Sequence, residues 1–338
     1  MGGRQDFLQE SFQSESLEDA MDQAIFADLE ERLGRDYLGQ RLRYQVDHSA
    51  RWFGHGYGGF HWENVETIPW LLKGILKAVG CYQRGLRNAQ DYRLVEVTVP
   101  LARLPQEFDG LRILHLSDLH ADVWPDQGQR LIGLIKTLAF DLCVITGDYR
   151  FLTFGDYGPV AQAVAKLLEA LACDCGIVGV LGNHDFIEKV PLLERLGLRL
   201  LINEAWPLVR GQARLWLIGL DDPHFYGLHD LPKAMAGIPL GEPKLLLVHT
   251  PELSEVAEAA GIDYYLCGHT HGGQICLPGG IPIFYNAHCP RRLSAGAWQR
   301  NGMRGYTSRG TGSSGLPVRF FCPPEVTLHR LVATQPAG

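Results

Sequence analysis

Residues 112–120 read Arg112-Ile113-Leu114-His115-Leu116-Ser117-Asp118-Leu119-His120. An apolar run too short for a helix breaks off in Ser-Asp-x-His, as expected for a buried strand whose far end carries polar chemistry. The pattern returns four times. Leu142–Thr146 runs into Gly147-Asp148, and Gly176–Leu181 into Gly182-Asn183-His184-Asp185. Lys244–His249 ends on His249-Thr250, and Tyr264–Cys267 leads to Gly268-His269-Thr270-His271-Gly272-Gly273. Leu94–Val99 and Leu215–Leu220 are further strand candidates. Gln127–Leu138, Gly158–Leu171, Val190–Leu196 and Leu253–Ala259 have helical spacing. Strands alternating with helices predict a layered α/β domain from about residue 92. Beyond residue 272, Gly, Pro and Ser dominate and no long helix is expected.

Ligands of open α/β sheets bind beyond the carboxyl ends of strands, and five such points here carry Asp, Asn or His. Asp118 and His120, two apart on an extended segment, can turn to one cation. The two oxygens of Asp148 can bridge two cations. Asn183 offers an amide oxygen; His249, His269 and His271 offer imidazole nitrogens. Oxygen and nitrogen donors without thiolate suit two divalent ions such as Mn, Fe, Zn or Co better than Ca. The residues alone leave open whether His184 joins the ligands.

The chain has 338 residues, 46% apolar and 20% charged, with 39 Gly and 19 Pro. Disordered, collagen-like and coiled-coil classes are excluded. The net charge of −7 is a property of one end: residues 1–31 hold nine acids against Arg4 alone, so the body is near neutral. Eight cysteines without a CxxC pair, two of them (Cys143 and Cys267) inside apolar runs, point to a reducing compartment. The acidic N-terminus lacks the apolar core of a secretory signal, and a cytoplasmic location is expected. Met1-Gly2-Gly3 does not make a myristoylation site, because Asp6 stands where Ser or Thr is needed.

The ordered set DLH, GDY, GNHD, VH and GHTH resembles the calcineurin-like metallophosphoesterase superfamily over about residues 92–332. GHTHGGQ, Gly219-Leu220-Asp221-Asp222, the stretch Ser308 to Gly312 and Pro323-Pro324-Glu325 resemble one branch of it. That branch holds bacterial, often membrane-associated phosphodiesterases and relatives of UDP-diacylglucosamine pyrophosphohydrolases. The resemblance implies an α/β fold: a four-layer α/β/β/α sandwich of two packed mixed sheets, with a dinuclear centre. It implies Asp118, His120 and His271 on one ion, Asn183, His249 and His269 on the other, and Asp148 between them. His184 would be no ligand but face the scissile phosphate, with Asp185 orienting its ring. The implied reaction is hydrolysis of a phosphodiester or pyrophosphate, a metal-bridging hydroxide attacking phosphorus in line. Departures exclude two other branches. Tyr149-Arg150-Phe151 and Asp185 differ from the Arg and Glu of Ser/Thr phosphatases. Phe151 stands where purple acid phosphatases place their Tyr ligand.

The predicted organisation is an N-terminal helical extension over 1–91, a catalytic domain over 92–332 and a tail over 333–338. Leu17, Met21, Ile25, Leu29 and Leu33 space an amphipathic helix over 16–33, capped by Ser16 and Asp19 and stopped at Gly34. It suits a partner or the chain's own domain. A second helix is expected over 69–85, after Thr67 and Pro69. Trp70, Leu71, Leu72, Ile75, Leu76, Val79 and Tyr82 form its apolar surface, with a basic stripe of Lys73, Lys77 and Arg84. Too short and too charged to span a bilayer, it suits peripheral contact with the inner membrane face, or docking on the body.

Residues 289–330 carry seven arginines against Glu325, favouring a phosphorylated small-molecule or lipid substrate larger than one phosphate, or forming only a solvated loop. No stripe of alternating basic and aromatic residues speaks for nucleic acid. His224, His229, His288 and His329 are expected to bond locally and His115 to sit in the core. Asp221 and Asp222 either back the ligands or form a turn. The competing readings are a non-catalytic metal-binding scaffold and a nuclease or cyclic-nucleotide phosphodiesterase.

Overall fold

The computed structural model describes residues 24–49, 55–56, 59–60, 67–153 and 155–334. In chain order the main strands are β1 (Arg93–Leu101), β2 (Arg112–Leu116), β3 (Leu142–Thr146), β4 (Ile177–Val180), β5 (Leu198–Leu200) and β6 (Glu204–Arg210). They continue as β7 (Ala213–Gly219), β8 (Lys244–Leu247), β9 (Tyr264–Cys267), β10 (Gly296–Arg300), β11 (Met303–Thr307) and β12 (Glu325–Ala333). One sheet has the order β1-β12-β2-β3-β4-β5, the other β10-β11-β9-β8-β7-β6. In the first, β2 to β5 run parallel, Ile113 opposite Leu142 and Cys143 opposite Ile177. In the second, β7, β8, β9 and β11 run parallel, and the edge strands β6 and β10 are antiparallel.

The helices are α1 (24–33), α2 (Arg35–Ser49), α3 (Thr67–Ala78), α4 (Tyr82–Asn88), α5 (Gln129–Ile135), α6 (Gly158–Ala170), α7 (Val190–Arg195), α8 (Leu231–Ala234) and α9 (Ser254–Ala259). Side chains alternate across a strand, and this sorts the core into layers. Leu114, Leu116, Cys143 and Ile145 face Leu131 of α5, Leu167 of α6 and Leu193 of α7. Their neighbours Ile113, Leu142, Val144 and Val180 meet Leu215, Leu217, Leu245, Leu247 and Leu266 of the second sheet. Ile218, Leu246 and Tyr265 on its far side are covered by Leu231, Ala234 and Ala257. The result is the expected α/β/β/α sandwich. Central strands buried on both faces read as unbroken apolar runs, which is why β2, β3, β8 and β9 were legible.

Strands β5, β6, β10, β11 and β12 were not anticipated. β5 has three residues, β6 is an edge strand containing Pro207, and β12 buries Glu325, Thr327 and His329 among its apolar positions. The helix expected over 69–85 is two helices. Gly80 takes φ +69°, and the Cys81 N–H bonds back to the Leu76 carbonyl at 2.8 Å. That is a Schellman termination. Leu71, Ile75 and Val79 are 69%, 52% and 62% exposed. Among the described residues no helix is long and apolar enough to cross a membrane.

Of the helix expected over 16–33, residues 24–33 are helical and the start lies outside the described residues. Leu29 and Leu33 are buried in the outer core. Arg32 bridges Glu194 at 2.8 Å and Glu204 at 2.7 Å, so this helix packs on the chain's own body.

Candidate metal centre

Parallel strands end on the same edge of a sheet, so β2, β3 and β4 deliver Asp118, His120, Asp148 and Asn183 together, and β8 and β9 deliver His249, His269 and His271 opposite them. The turns interlock through the backbone: the Asp118 N–H donates to the Gly147 carbonyl at 3.0 Å, and the His120 N–H to the Asp148 carbonyl at 2.9 Å. Among the described non-glycine residues, ten have positive φ, and five of these are Asp118, His120, Asp148, His269 and His271. Each left-handed L-residue costs on the order of 1 kcal/mol or more and persists only where surroundings enforce it. Close packing supplies the enforcement. A Cβ on Gly182 would strike the Asp148 carboxylate, and one on Gly268 the Ser117 hydroxyl and the Asp118 carboxylate.

Two groups result. Oxygen or nitrogen atoms of Asp118, His120 and His271 lie within 4.8 Å of one another, as do those of Asp148, His249 and His269. Asn183 Oδ1 faces His249 Nε2 at 3.0 Å and His269 Nδ1 at 3.1 Å, within the second group. Asp148 Oδ2 lies 3.3 Å from His249 Nε2 and 3.7 Å from His120 Nε2, reaching both groups. All seven residues are buried.

The donor chemistry fits a pair of cations. The His249 Nδ1–H donates to the Thr146 carbonyl at 2.7 Å, and the His120 Nδ1–H to the Arg150 carbonyl at 3.2 Å. In a neutral ring this turns the Nε2 lone pair inward, toward the Asp148 carboxylate and the Asn183 amide oxygen, which likewise present lone pairs. Arg319 donates to His271 Nδ1 at 3.3 Å, so a neutral His271 carries its proton on Nε2, 3.3 Å from His120 Nε2. Burial and the neighbouring His120 hold His271 well below the usual imidazole range, and burial lowers His120 to about 4. Burial also disfavours charge on His249, but the Asp148 carboxylate outweighs it and raises the imidazole to about 10. Burial lifts Asp118 to about 6. The Asp148 carboxylate thus draws a proton onto His249 at the place where a cation would sit.

His184 belongs to neither group. Its Nδ1–H donates to the Phe151 carbonyl at 2.6 Å, and its backbone N–H to Asp148 Oδ1 at 3.0 Å. The expectation that Asp185 orients the His184 ring needs correction. The Asp185 carboxylate instead accepts the backbone N–H groups of Asp148, Tyr149 and Gly182 at 2.7–2.9 Å, clamping one turn to the next. A backbone carbonyl leaves no residue signature, so the orienting role of Phe151 could not be read from sequence.

Asp222 accepts the N–H groups of His224, Phe225 and Tyr226, and Asp221 pairs with Arg41 at 2.9 Å. His224 bonds Glu252 at 2.8 Å, and Glu252 also accepts the His288 N–H at 2.7 Å, an arrangement explained by hydrogen bonding. His115 and His329 face each other in the core at 3.4 Å. Sequence reasoning missed Arg41 and gave no individual role to Arg319. The buried Arg319 guanidinium donates to the carbonyls of Gly312, Arg309 and Gly310 behind His271.

The family profile described as calcineurin-like phosphoesterase matches residues 111–273. The uncharacterized metallophosphoesterase YkuE of Bacillus subtilis is 30% identical over 278 residues, covering 78% of this chain and 94% of that protein. Phosphodiesterase YaeI of Escherichia coli is 31% identical over 237 residues, covering 65% of this chain and 82% of YaeI. A zebrafish transmembrane protein with a metallophosphoesterase domain is 28% identical over 276 residues, and the chain spans 61% of its length.

Proposed function

The chain belongs to the calcineurin-like metallophosphoesterase family and is a metal-dependent phosphoesterase, and from that premise we propose that it hydrolyses a phosphodiester or phosphoric anhydride at a dinuclear centre. Asp118, His120 and His271 would hold one ion, Asn183, His249 and His269 the other, and Asp148 both. The observation that carries this is the reach of one carboxylate: Asp148 Oδ2 lies within 3.7 Å of imidazole nitrogens in both groups. Divalent Mn, Fe, Zn or Co bound there would supply an activated water and neutralise charge growing on the phosphoryl oxygens.

The chain's own residues supply the rest. With Nδ1–H committed to the Phe151 carbonyl, Nε2 is the atom His184 turns to substrate, and the imidazolium form would give its Nε2 proton to the leaving oxygen, general-acid work of roughly 10²–10⁴-fold. Asp185 holds the backbone of the Asp148 and Gly182 turns, and so sets where both the bridging carboxylate and His184 stand.

On substrate, a groove of about 430 Å³ opens beside Gly272 and is lined by Arg291, Arg292, Arg309 and Ile281. Within the groove, Arg309 pairs with Glu325 at 2.7 Å and Arg291 donates to the Pro282 carbonyl at 3.0 Å; outside it, Arg300 is held by Glu255, Arg304 by a carbonyl, and Arg319 lies in the interior. Guanidinium forks beside an apolar wall suit a second anionic group with an apolar extension, and this supports a nucleotide-linked lipid of the UDP-diacylglucosamine type. The exposed face of α3 supports peripheral contact with the inner, cytoplasmic membrane face, and the division into 1–91, 92–332 and 333–338 stands as part of this reading. Nuclease or cyclic-nucleotide phosphodiesterase activity is the second reading.

A Mn-supplemented substrate panel separates them. Cleavage of bis(p-nitrophenyl) phosphate and of a UDP-sugar lipid, without attack on cyclic nucleotides or DNA, is the expected outcome. Preference for cyclic nucleotides or DNA would move the assignment to the second reading. Inertness toward every phosphodiester and anhydride would remove the proposal.

A further inference from the structure

We propose that α2 is part of the catalytic apparatus, with Arg41 the positioning residue that holds the Asn183-His184-Asp185 turn against the loop 221–226. This rests on the role proposed for His184. α2 lies outside the stretch matched by the family profile, yet its side chains reach the turn that follows Asn183.

The Arg41 guanidinium is fully buried. Its Nη2 donates to the Asp185 carbonyl at 2.8 Å, its Nε to Asp221 Oδ2 at 2.9 Å, and its Nη1 to Gln45 Oε1 at 3.2 Å. Its Cζ lies over the Tyr226 ring, 3.1 Å from the ring centre, and the Tyr37 hydroxyl also donates to Asp221. One turn along α2, Gln45 Oε1 accepts the Ile187 N–H at 2.7 Å and its amide donates to Glu188 at 2.9 Å. One turn further, the His48 ring packs 4.1 Å from Phe225 and 5.6 Å from His184.

The two loops joined this way flank the centre. One carries Asn183, His184 and Asp185. The other carries His224, whose ring packs 4.3 Å from that of His269. A buried guanidinium keeps its charge, and a buried ion pair is seldom more stabilising than apolar side chains of the same volume. What the planar fork supplies is fixed spacing: donors at set angles lock the Asp185 carbonyl to the Asp221 carboxylate. His184 is the immediate chain neighbour of the carbonyl so held.

The test uses the full chain, Mn-loaded, with bis(p-nitrophenyl) phosphate. Arg41→Met is expected to lower kcat about tenfold or more with KM and metal content near wild type, and Arg41→Lys to recover part of that. On a His184→Ala background the same substitution is expected to change kcat less than about twofold, since both losses then act through one group. Equal fold losses on both backgrounds, a loss that tracks metal content, or wild-type kcat in Arg41→Met would overturn the proposal. Should Arg41→Met not fold, Gln45→Met on both backgrounds decides by the same criterion of non-additivity. Wild-type kcat in His184→Ala would instead strike the role given to His184.

Discussion

The carboxylate of Asp185 accepts the backbone N–H of Asp148 at 2.7 Å. The same carboxylate takes the N–H groups of Tyr149 and Gly182, so a residue from the turn after β4 fixes the turn after β3. Asp185→Ala leaves three buried donors without their acceptor. At roughly 1–3 kcal/mol for each unmet group, a loss of at least about 3 kcal/mol in unfolding free energy is expected, and weaker metal binding with it. Chemical denaturation and metal titration of the variant check both; unchanged metal affinity would show that the clamp does not set the Asp148 geometry.

His184 is predicted to act on substrate and not on metal. His184→Ala should lower kcat by about 10²–10⁴ while elemental analysis finds the wild-type complement of metal. Parallel loss of metal and activity would put the ring among the ligands.

Filling the centre is predicted to release protons. Without a cation, the Asp148 carboxylate keeps His249 protonated up to about pH 10 despite burial. A cation must displace that proton, so affinity should rise with pH through neutrality. Calorimetric Mn titrations in buffers of different ionisation enthalpy report the number released. A heat independent of buffer would contradict the prediction.

The core pair His115 and His329 is predicted to make the fold acid-sensitive. Burial pushes His115 down to about 3, and His329 also lies well below the ordinary value, burial first and His115 second among the causes. Well above about pH 6.5 neither imidazole is charged in the folded or unfolded chain, and they contribute nothing to pH dependence. Below it the unfolded chain binds protons that the native core refuses. Stability therefore falls by up to about 1.4 kcal/mol per pH unit for each ring, down to the folded-state value. His329→Gln should flatten the slope of unfolding free energy between pH 6 and 4 by about that amount relative to wild type, read from urea curves. An unchanged slope would mean that the rings are protonated in the native state.

The fold and the candidate metal ligands were legible for one reason. Asp118, Asp148, Asn183, His249 and His269 each follow a short apolar strand within a few residues, so strand and chemistry lie in one window of sequence. Arg41 offers no such window. Its partners Asp185 and Asp221 stand 144 and 180 positions away, and nothing around it marks a residue that will be buried. The same holds for the His184 ring, oriented by a backbone carbonyl of Phe151, and for β12, whose buried Glu325, Thr327 and His329 disguise a central strand.

Metal stoichiometry of catalysis is the sharpest test of a dinuclear centre bridged by Asp148. The chain is stripped with chelator, Mn is added back in known amounts, and hydrolysis of bis(p-nitrophenyl) phosphate is followed for wild type and Asp148→Ala. Activity is expected to reach its plateau at about two equivalents per chain, and Asp148→Ala is expected neither to retain the metal nor to turn over. Full activity in the stripped chain, a plateau at one equivalent, or an Asp148→Ala chain that keeps both metal and turnover would contradict such a centre.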